Sequence, residues 1–118
     1  MSVRTQRVAK LMHREIAEIL AREHPTPTII TVTGVRVTRD LSIANIDLSI
    51  IADSFESRQE IFDTMVHKIP SVRKSLAHRV RHQMRAIPTI RFFLDESQDH
   101  RQQMDALFEK INGTKSHS

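Results

Sequence analysis

The segment Ile69-Pro70-Ser71-Val72-Arg73-Lys74-Ser75-Leu76-Ala77-His78-Arg79-Val80-Arg81-His82-Gln83-Met84-Arg85-Ala86-Ile87-Pro88-Thr89-Ile90-Arg91-Phe92-Phe93-Leu94 reads as a helix held between two prolines, followed by a strand. Val72, Leu76, Val80 and Met84 recur every four residues, which places them on one helical face. Pro70 brings no N–H and its ring meets the preceding turn, so the helix running into it breaks or bends there. Ile87-Pro88 ends the second piece, because a residue before proline is pushed to extended angles. Beyond it Ile90, Phe92 and Leu94 alternate as a short strand.

Working upstream, Ser54 or Ser57 caps a helix over about Glu56 to Ile69, which buries Ile61 or Phe62, Met65, Val66 and Ile69. Before it, Ala44, Ile46, Leu48 and Ile50 alternate with Asn45, Asp47 and Ser49 as a half-buried strand. Thr28 to Thr38 is a second strand, whose apolar alternation slips from Ile30 and Val32 to Val35 and Val37. Gly34 stands at the slip, the mark of a β-bulge. The turn Arg39-Asp40-Leu41-Ser42 joins these two strands as an antiparallel hairpin. At the start, Val8, Leu11, Met12, Ile16, Ile19 and Leu20 define an amphipathic helix from about Thr5 to Glu23, stopped by His24-Pro25-Thr26-Pro27. Downstream, Met104, Leu107, Phe108 and Ile111 mark a last helix from His100 to Ile111, closed by Gly113. The order α-β-β-α-α-β-α predicts a single α+β domain over residues 1–112, with a frayed tail over 113–118.

Charge is distributed unevenly. No Asp or Glu occurs in the 31 residues between Asp63 and Asp95, whereas Lys68, Arg73, Lys74, Arg79, Arg81, Arg85 and Arg91 do. That interval carries +7, while the other 87 residues set 11 Lys and Arg against 14 acids, so a net of +4 conceals a bipolar molecule. Such a block suits a polyanion, because each cation can neutralise one phosphate and release its counterion. Projected as one helix from Val72 to Arg85, the sequence puts Lys74, His78, Arg81 and Arg85 in a ridge opposite the apolar stripe, with His82 beside it. Arg73 and Arg79 flank the stripe and are expected to lay their stems along the core edge with their heads in water. Like charges four residues apart repel by about a few tenths of a kcal/mol, so folding alone gives no reason for the ridge.

Other chemistries find little support. Gly34 and Gly113 are the chain's two glycines, so there is no glycine-rich phosphate loop, and no nucleophile elbow or acid dyad is recognisable. The absence of cysteine removes thiol catalysis, thiolate metal sites and disulfides. His78 and His82 have the four-residue spacing of a zinc pair but no third ligand nearby in sequence, so no metal or other cofactor is expected. With no Trp or Tyr, and with the five Phe mostly at core positions, base stacking has few donors; phosphate contact and shape should dominate recognition. The N-terminus lacks a secretory pattern, no apolar run is long enough to span a membrane, and the expected location is the cytoplasm.

With these elements in place, the chain resembles the ribosome-binding factor A family. Arg85-Ala86-Ile87-Pro88-Thr89-Ile90-Arg91-Phe92-Phe93-Leu94-Asp95-Glu96-Ser97 fits that family's basic-x-x-Pro-x-x-x-Phe-x-x-Asp-x-Ser pattern. Arg7-Val8-Ala9 with Ile16 and Ile19-Leu20 resembles its first helix, Val32-Thr33-Gly34-Val35 and Thr38-Arg39-Asp40-Leu41 its first strand and turn, and Met104-Asp105 with Leu107-Phe108 its closing helix. The resemblance implies a KH-like fold of type II order, α-β-β-α-α-β, without the usual Gly-x-x-Gly loop. It also implies a non-catalytic factor that binds the immature small (30S) ribosomal subunit and its 16S rRNA during late maturation. Where the family bends its helix pair at Ala-x-Gly, this chain has Ile69-Pro70-Ser71.

The expectation is therefore a monomeric, non-enzymatic assembly factor that takes no small-molecule substrate and touches no membrane. Lys68, Arg73, Lys74, His78, Arg81, His82 and Arg85 are expected to meet RNA phosphates, with Arg36, Arg39 and Arg7, alongside Arg4 and Lys10, as a second contact. Two other readings stay open. The basic face could dock an acidic protein without RNA, or the chain could bind any single strand.

Overall fold

The computed structural model describes residues 3–25 and 29–96. In chain order these form α1 (Val3–Glu23), β1 (Ile29–Val37), β2 (Ile43–Ile51), α2 (Phe55–His67), α3 (Ile69–Val80) and β3 (Thr89–Leu94). The helix expected over 100–111 and the tail over 113–118 lie outside the described residues.

The sheet has the order β1-β2-β3. β1 and β2 pair antiparallel, from Ile29 opposite Ile51 to Val37 opposite Ala44. The register slips between Val32 and Gly34, so Thr33 is the extra residue of the expected bulge, and Val35 and Val37 return to the phase of the core. A Cβ on Gly34 would stand 3.1 Å from Asp47 Oδ2. Gly34 has no left-handed backbone, so glycine serves space here rather than conformation. β3 runs parallel to β2, from Thr89 beside Ile43 to Leu94 beside Leu48. A parallel neighbour needs a long crossover, and the α2–α3 pair supplies it.

The core lies between one face of this sheet and the helices. It contains Met12, Ile16, Ile19 and Leu20 of α1, and Val32, Val37, Ala44, Ile46 and Leu48 of the hairpin. Met65, Val72, Leu76, Val80, Ile90 and Phe92 complete it from the second half of the chain. Helices on one side of a three-stranded sheet, in the order α-β-β-α-α-β, give the KH-like fold of type II order that the resemblance implies.

Local chemistry explains the joints. Asp40 accepts hydrogen bonds from the Thr38 hydroxyl, the Ser42 amide and the Ser42 hydroxyl, and these hold its carboxyl below the usual carboxylate range, Ser42 contributing most. Leu41 takes the left-handed conformation (φ 63°) inside that turn. The Thr89 amide donates to the Ser42 carbonyl at 2.8 Å, tying the hairpin turn to the start of β3. Of the two serines considered as caps for α2, Ser54 does the work: its hydroxyl accepts from the Ser57 amide at 3.0 Å. Between α2 and α3 the chain breaks at Lys68, which stays in the right-handed helical region. Pro70 falls in the first turn of α3, where a missing N–H costs nothing, and its ring prevents α2 from continuing.

Three expectations need correction. The second helix of the pair ends at Val80, not near Met84 or Arg85. The amides of Gln83 and Met84 both turn back to the Val80 carbonyl, at 2.8 and 3.0 Å. The cause lies downstream. Ile87, extended before Pro88, returns to the start of α3, where Arg73 Nη2 reaches its carbonyl at 2.7 Å. A helix continuing over those 14 residues would instead carry Ile87 about 21 Å away. Val66, expected in the core, is exposed, because the inward face of α2 is centred on Met65 and Arg58. Phe55 and Phe93 are also exposed rather than core residues.

Candidate nucleic-acid interface

α1 and α3 lie side by side and antiparallel, as three cross-contacts show. Ser75 donates its hydroxyl to Glu23, Arg79 meets Glu15 at 3.0 Å and also Glu18, and Gln83 and Met84 line one cleft with Val3, Arg4, Arg7, Val8 and Leu11. The second half of α1 therefore spends its acids internally. The hydrogen bond from Arg79, then the charge of Arg22, holds the Glu18 carboxyl below its usual range, and Glu18 and then Glu15 raise Arg79 in turn. Arg79 is thus an ion-pair anchor between helices, not a cation with its head in water.

The first half of α1 is different. Residues 3–14 include Arg4, Arg7, Lys10 and Arg14 and no acid. A helix N-terminus favours negative side chains, yet the first turn of α1 has none. Beside it runs the turn after α3, with Arg81, His82 and Arg85 exposed. Arg39 is exposed in the hairpin turn, which is tied through Ser42 to Thr89 at the start of β3. Among the described residues, Arg4, Arg7, Arg39 and Arg85 have no hydrogen-bond or ion-pair partner, and Arg81 reaches only its neighbour, His82 Nε2, at 3.3 Å. The cations here face water and each other, an arrangement that an external polyanion would stabilise.

The expected site residues consequently divide. Arg7, Arg81, His82 and Arg85 lie at this end, joined by Arg4, while Arg39 stands in the hairpin turn. Arg81 caps α3, and His82 and Arg85 lie beyond it, so the expected ridge is not one helix face. His78 and His82 accordingly do not share a helix turn. Lys74 and His78 do share the outer face of α3, beside a second cleft lined by Glu23, Ser75, Ala77 and Arg79. Lys68 sits apart at the α2–α3 junction, close enough to His24 to help lower that imidazole's pKa after burial has done so. Arg73 is structural: Nε donates to the Pro88 carbonyl at 3.1 Å and Nη2 to the Ile87 carbonyl at 2.7 Å. It secures the strand entry that positions the 81–85 turn.

Arg36 lies elsewhere, on the open face of the sheet. It meets Asp47 Oδ1 at 2.7 Å and its guanidinium carbon lies 5.4 Å from the Phe93 ring centroid. On the same face Thr33 donates to Asp95 Oδ2 at 2.6 Å. Arg36 thus spends its charge on Asp47 within this face. The sequence reading missed Val3, Gln83 and Met84 as cleft residues. Met84 carries a signal, as the last member of the apolar stripe, and it both packs against the core and lines the cleft. The sequence reading also missed Arg58, a buried arginine whose Nε donates to the Ile50 carbonyl at 3.3 Å. Its signal was position, on the apolar side of α2 seven residues before Met65.

Among the described residues, no three His, Cys, Asp or Glu side chains stand together as a metal site, and no helix is long and apolar enough to cross a membrane. Comparison with known proteins adds the following. The family model described as ribosome-binding factor A matches residues 4–108. A ribosome-binding factor A from Pelodictyon phaeoclathratiforme is 38% identical over 112 residues, covering 94% of this chain and 93% of the relative. The crystal structure of ribosome-binding factor A from Thermus thermophilus superposes with a TM-score of 0.62 at 23% identity, over 76% of this chain and 94% of that one. A Thermus thermophilus ribosome binding factor A homology model, fitted into the cryo-EM map of a 30S–RbfA complex, gives 0.57 at 24% identity, over 75% and 91%. On the extent of these matches, the chain belongs to the ribosome-binding factor A family.

Proposed function

We propose that this protein is a non-enzymatic assembly factor that binds the immature small ribosomal subunit, contacting its 16S rRNA through the cationic end formed by α1 and the turn after α3. The observation that carries the reading is the convergence of Arg4 and Arg7 of α1 with the turn that holds Arg81, His82 and Arg85, none with a carboxylate partner among the described residues. Guanidinium groups fit phosphate in a bidentate manner, and several on one surface register a folded RNA backbone without reading its sequence. The family supports the small subunit as the RNA's host, since one member has been fitted into a 30S complex. Lys74 and His78 extend the surface along α3, and Lys68 lies at its margin. Arg73 and Arg36 contribute through the fold. A cytoplasmic location and a domain running to residue 112 are part of the same reading.

Co-sedimentation with purified small-subunit precursors tests it. Arg7→Glu combined with Arg81→Glu should remove the protein from the subunit peak at physiological salt while leaving its melting temperature unchanged. Both side chains are exposed and neither holds the core. Retention of the double variant in the subunit peak would sink the assignment. Loss of wild-type binding after proteolysis of the precursors, with RNA intact, would favour an acidic protein partner instead.

A further inference from the structure

Between the cations of that end lies a cleft with a different character. It has a volume of about 510 Å³, and its wall contains Val3, Val8, Leu11 and Met84. Arg4, Arg7 and Gln83 complete the lining. Val8, Leu11 and Met84 pack against the core from outside, so the floor is fixed, whereas Val3 is 65% exposed at the lip. A surface that only grips phosphates needs no apolar floor, and an apolar seam between a helix and a neighbouring turn needs no arginine on both sides of Thr5. The combination suits a ligand with a flat apolar part and an attached anion.

We infer that this cleft receives one unpaired nucleotide of the bound RNA, an inference that rests on the RNA-binding reading above. The base lies on the aliphatic floor of Val8, Leu11 and Met84, the adjoining phosphates meet Arg4 and Arg7, and the Gln83 amide offers both a donor and an acceptor to the base edge. Aliphatic side chains can cover a base face by apolar contact where aromatic ones are absent, and the planar guanidinium of arginine can stack as well as pair. Among the described residues no acid lines the cleft; the nearest on α1, Glu15, is occupied by Arg79 and Arg14. An acidic helical peptide is the competing occupant. Its side chains would also find the arginines, but it would leave the amide of Gln83 without a flat edge to read.

A photoreactive benzoylphenylalanine at Gln83, with a second at Arg91 on the open sheet face as control, tests the inference on purified small-subunit precursors. Co-sedimentation of both labelled proteins first establishes that RNA binding itself holds. A crosslink from position 83 to a single unpaired rRNA nucleotide, absent from position 91, is the expected result. Co-sedimentation with crosslinks from position 83 confined to paired RNA or to a ribosomal protein, or with none at all, would overturn it. Val3→Asp supplies an independent reading, since that exposed position does not hold the fold. The acid should weaken subunit binding about tenfold by opposing a phosphate, and Val3→Asn should leave it within about threefold. Equal effects of the two substitutions would also count against the cleft.

Discussion

Replacing Arg73 separates a cation that builds the fold from those that face the ligand. Its guanidinium spans from the first half of α3 to the carbonyls of Ile87 and Pro88, and Pro88 is fully buried. Hydrogen bonds from a charged donor contribute about 1.5–3 kcal/mol each when protected, and a buried carbonyl left unpaired loses a similar amount. One of the two bonds is exposed to water, so the pair should be worth about 2.5 kcal/mol rather than twice a protected bond. Arg73→Ala should therefore lower the urea midpoint by about 1.2–1.7 M, taking an m-value of about 1.5–2 kcal/mol/M. Arg73→Lys keeps the charge but not the fork, so it should recover less than half of the loss. Arg81→Ala, by contrast, should change stability by no more than about 0.5 kcal/mol, as exposed substitutions usually do. If Arg73 instead contacted phosphate, lysine would substitute well for subunit binding and the midpoint would not move. An unchanged midpoint in Arg73→Ala, accompanied by a binding loss equal to that of Arg81→Ala, would refute the reasoning.

Three further predictions concern the fold. Gly34→Ala removes unfolded-state freedom, which should stabilise by about 0.4–1 kcal/mol where space allows; the new Cβ meets Asp47 Oδ2 at 3.1 Å. The gain should therefore appear in full in an Asp47→Ala background and be reduced in the wild type, and equal effects in both would show that the carboxylate is irrelevant. Ser54→Ala should cost about 1 kcal/mol through loss of the α2 cap while Ser54→Asp stays close to wild type, by thermal melting. His24 is held below its ordinary pKa of 6.5, first by burial and then by Lys68, against an opposing pull from Glu23. The unfolded chain thus takes up that proton first on acidification, so the contribution of His24 is present above pH 6.5 and is lost as pH falls through the lower folded value. Melting curves of wild type and His24→Gln between about pH 7.5 and 5 should diverge on the acid side, with the wild type falling further; parallel curves would exclude the effect.

Much of the fold was legible because its signals were local. The slip at Gly34, the clean alternation of Ala44 to Ile50, and the proline at 70 each act within a few residues, and each produced the element expected. The parallel pairing of β3 with β2 was not legible, since nothing in Thr89 to Leu94 specifies a partner so distant in the chain. The end of α3 was missed for a tertiary reason: periodicity continues through Met84, but Arg73 holds the strand entry close and forces the chain to turn after Val80. The acid-free interval points to a cationic surface that includes Arg81 and Arg85. Helical projection sets Arg73 and Arg79 beside the apolar stripe and apart from Arg81 and Arg85, but it does not reveal their partners, the Pro88 and Ile87 carbonyls for one and Glu15 and Glu18 for the other, which come from distant segments or from backbone. Arg4 and Arg7 looked peripheral in sequence and lie beside the turn after α3 in space, because α1 and α3 run antiparallel.

The salt dependence of binding to small-subunit precursors addresses the cationic end most directly. Arg4, Arg7, Arg39, Arg81 and Arg85 would neutralise about five phosphates, so the logarithm of affinity should fall against the logarithm of salt with a slope of about −3.5 to −4.5. Replacing Arg4, Arg7, Arg81 and Arg85 together with Gln should flatten that slope to about −1, with the circular dichroism spectrum unchanged. A slope that stays near about −4 in the folded quadruple variant would place the RNA contact on another face of the protein.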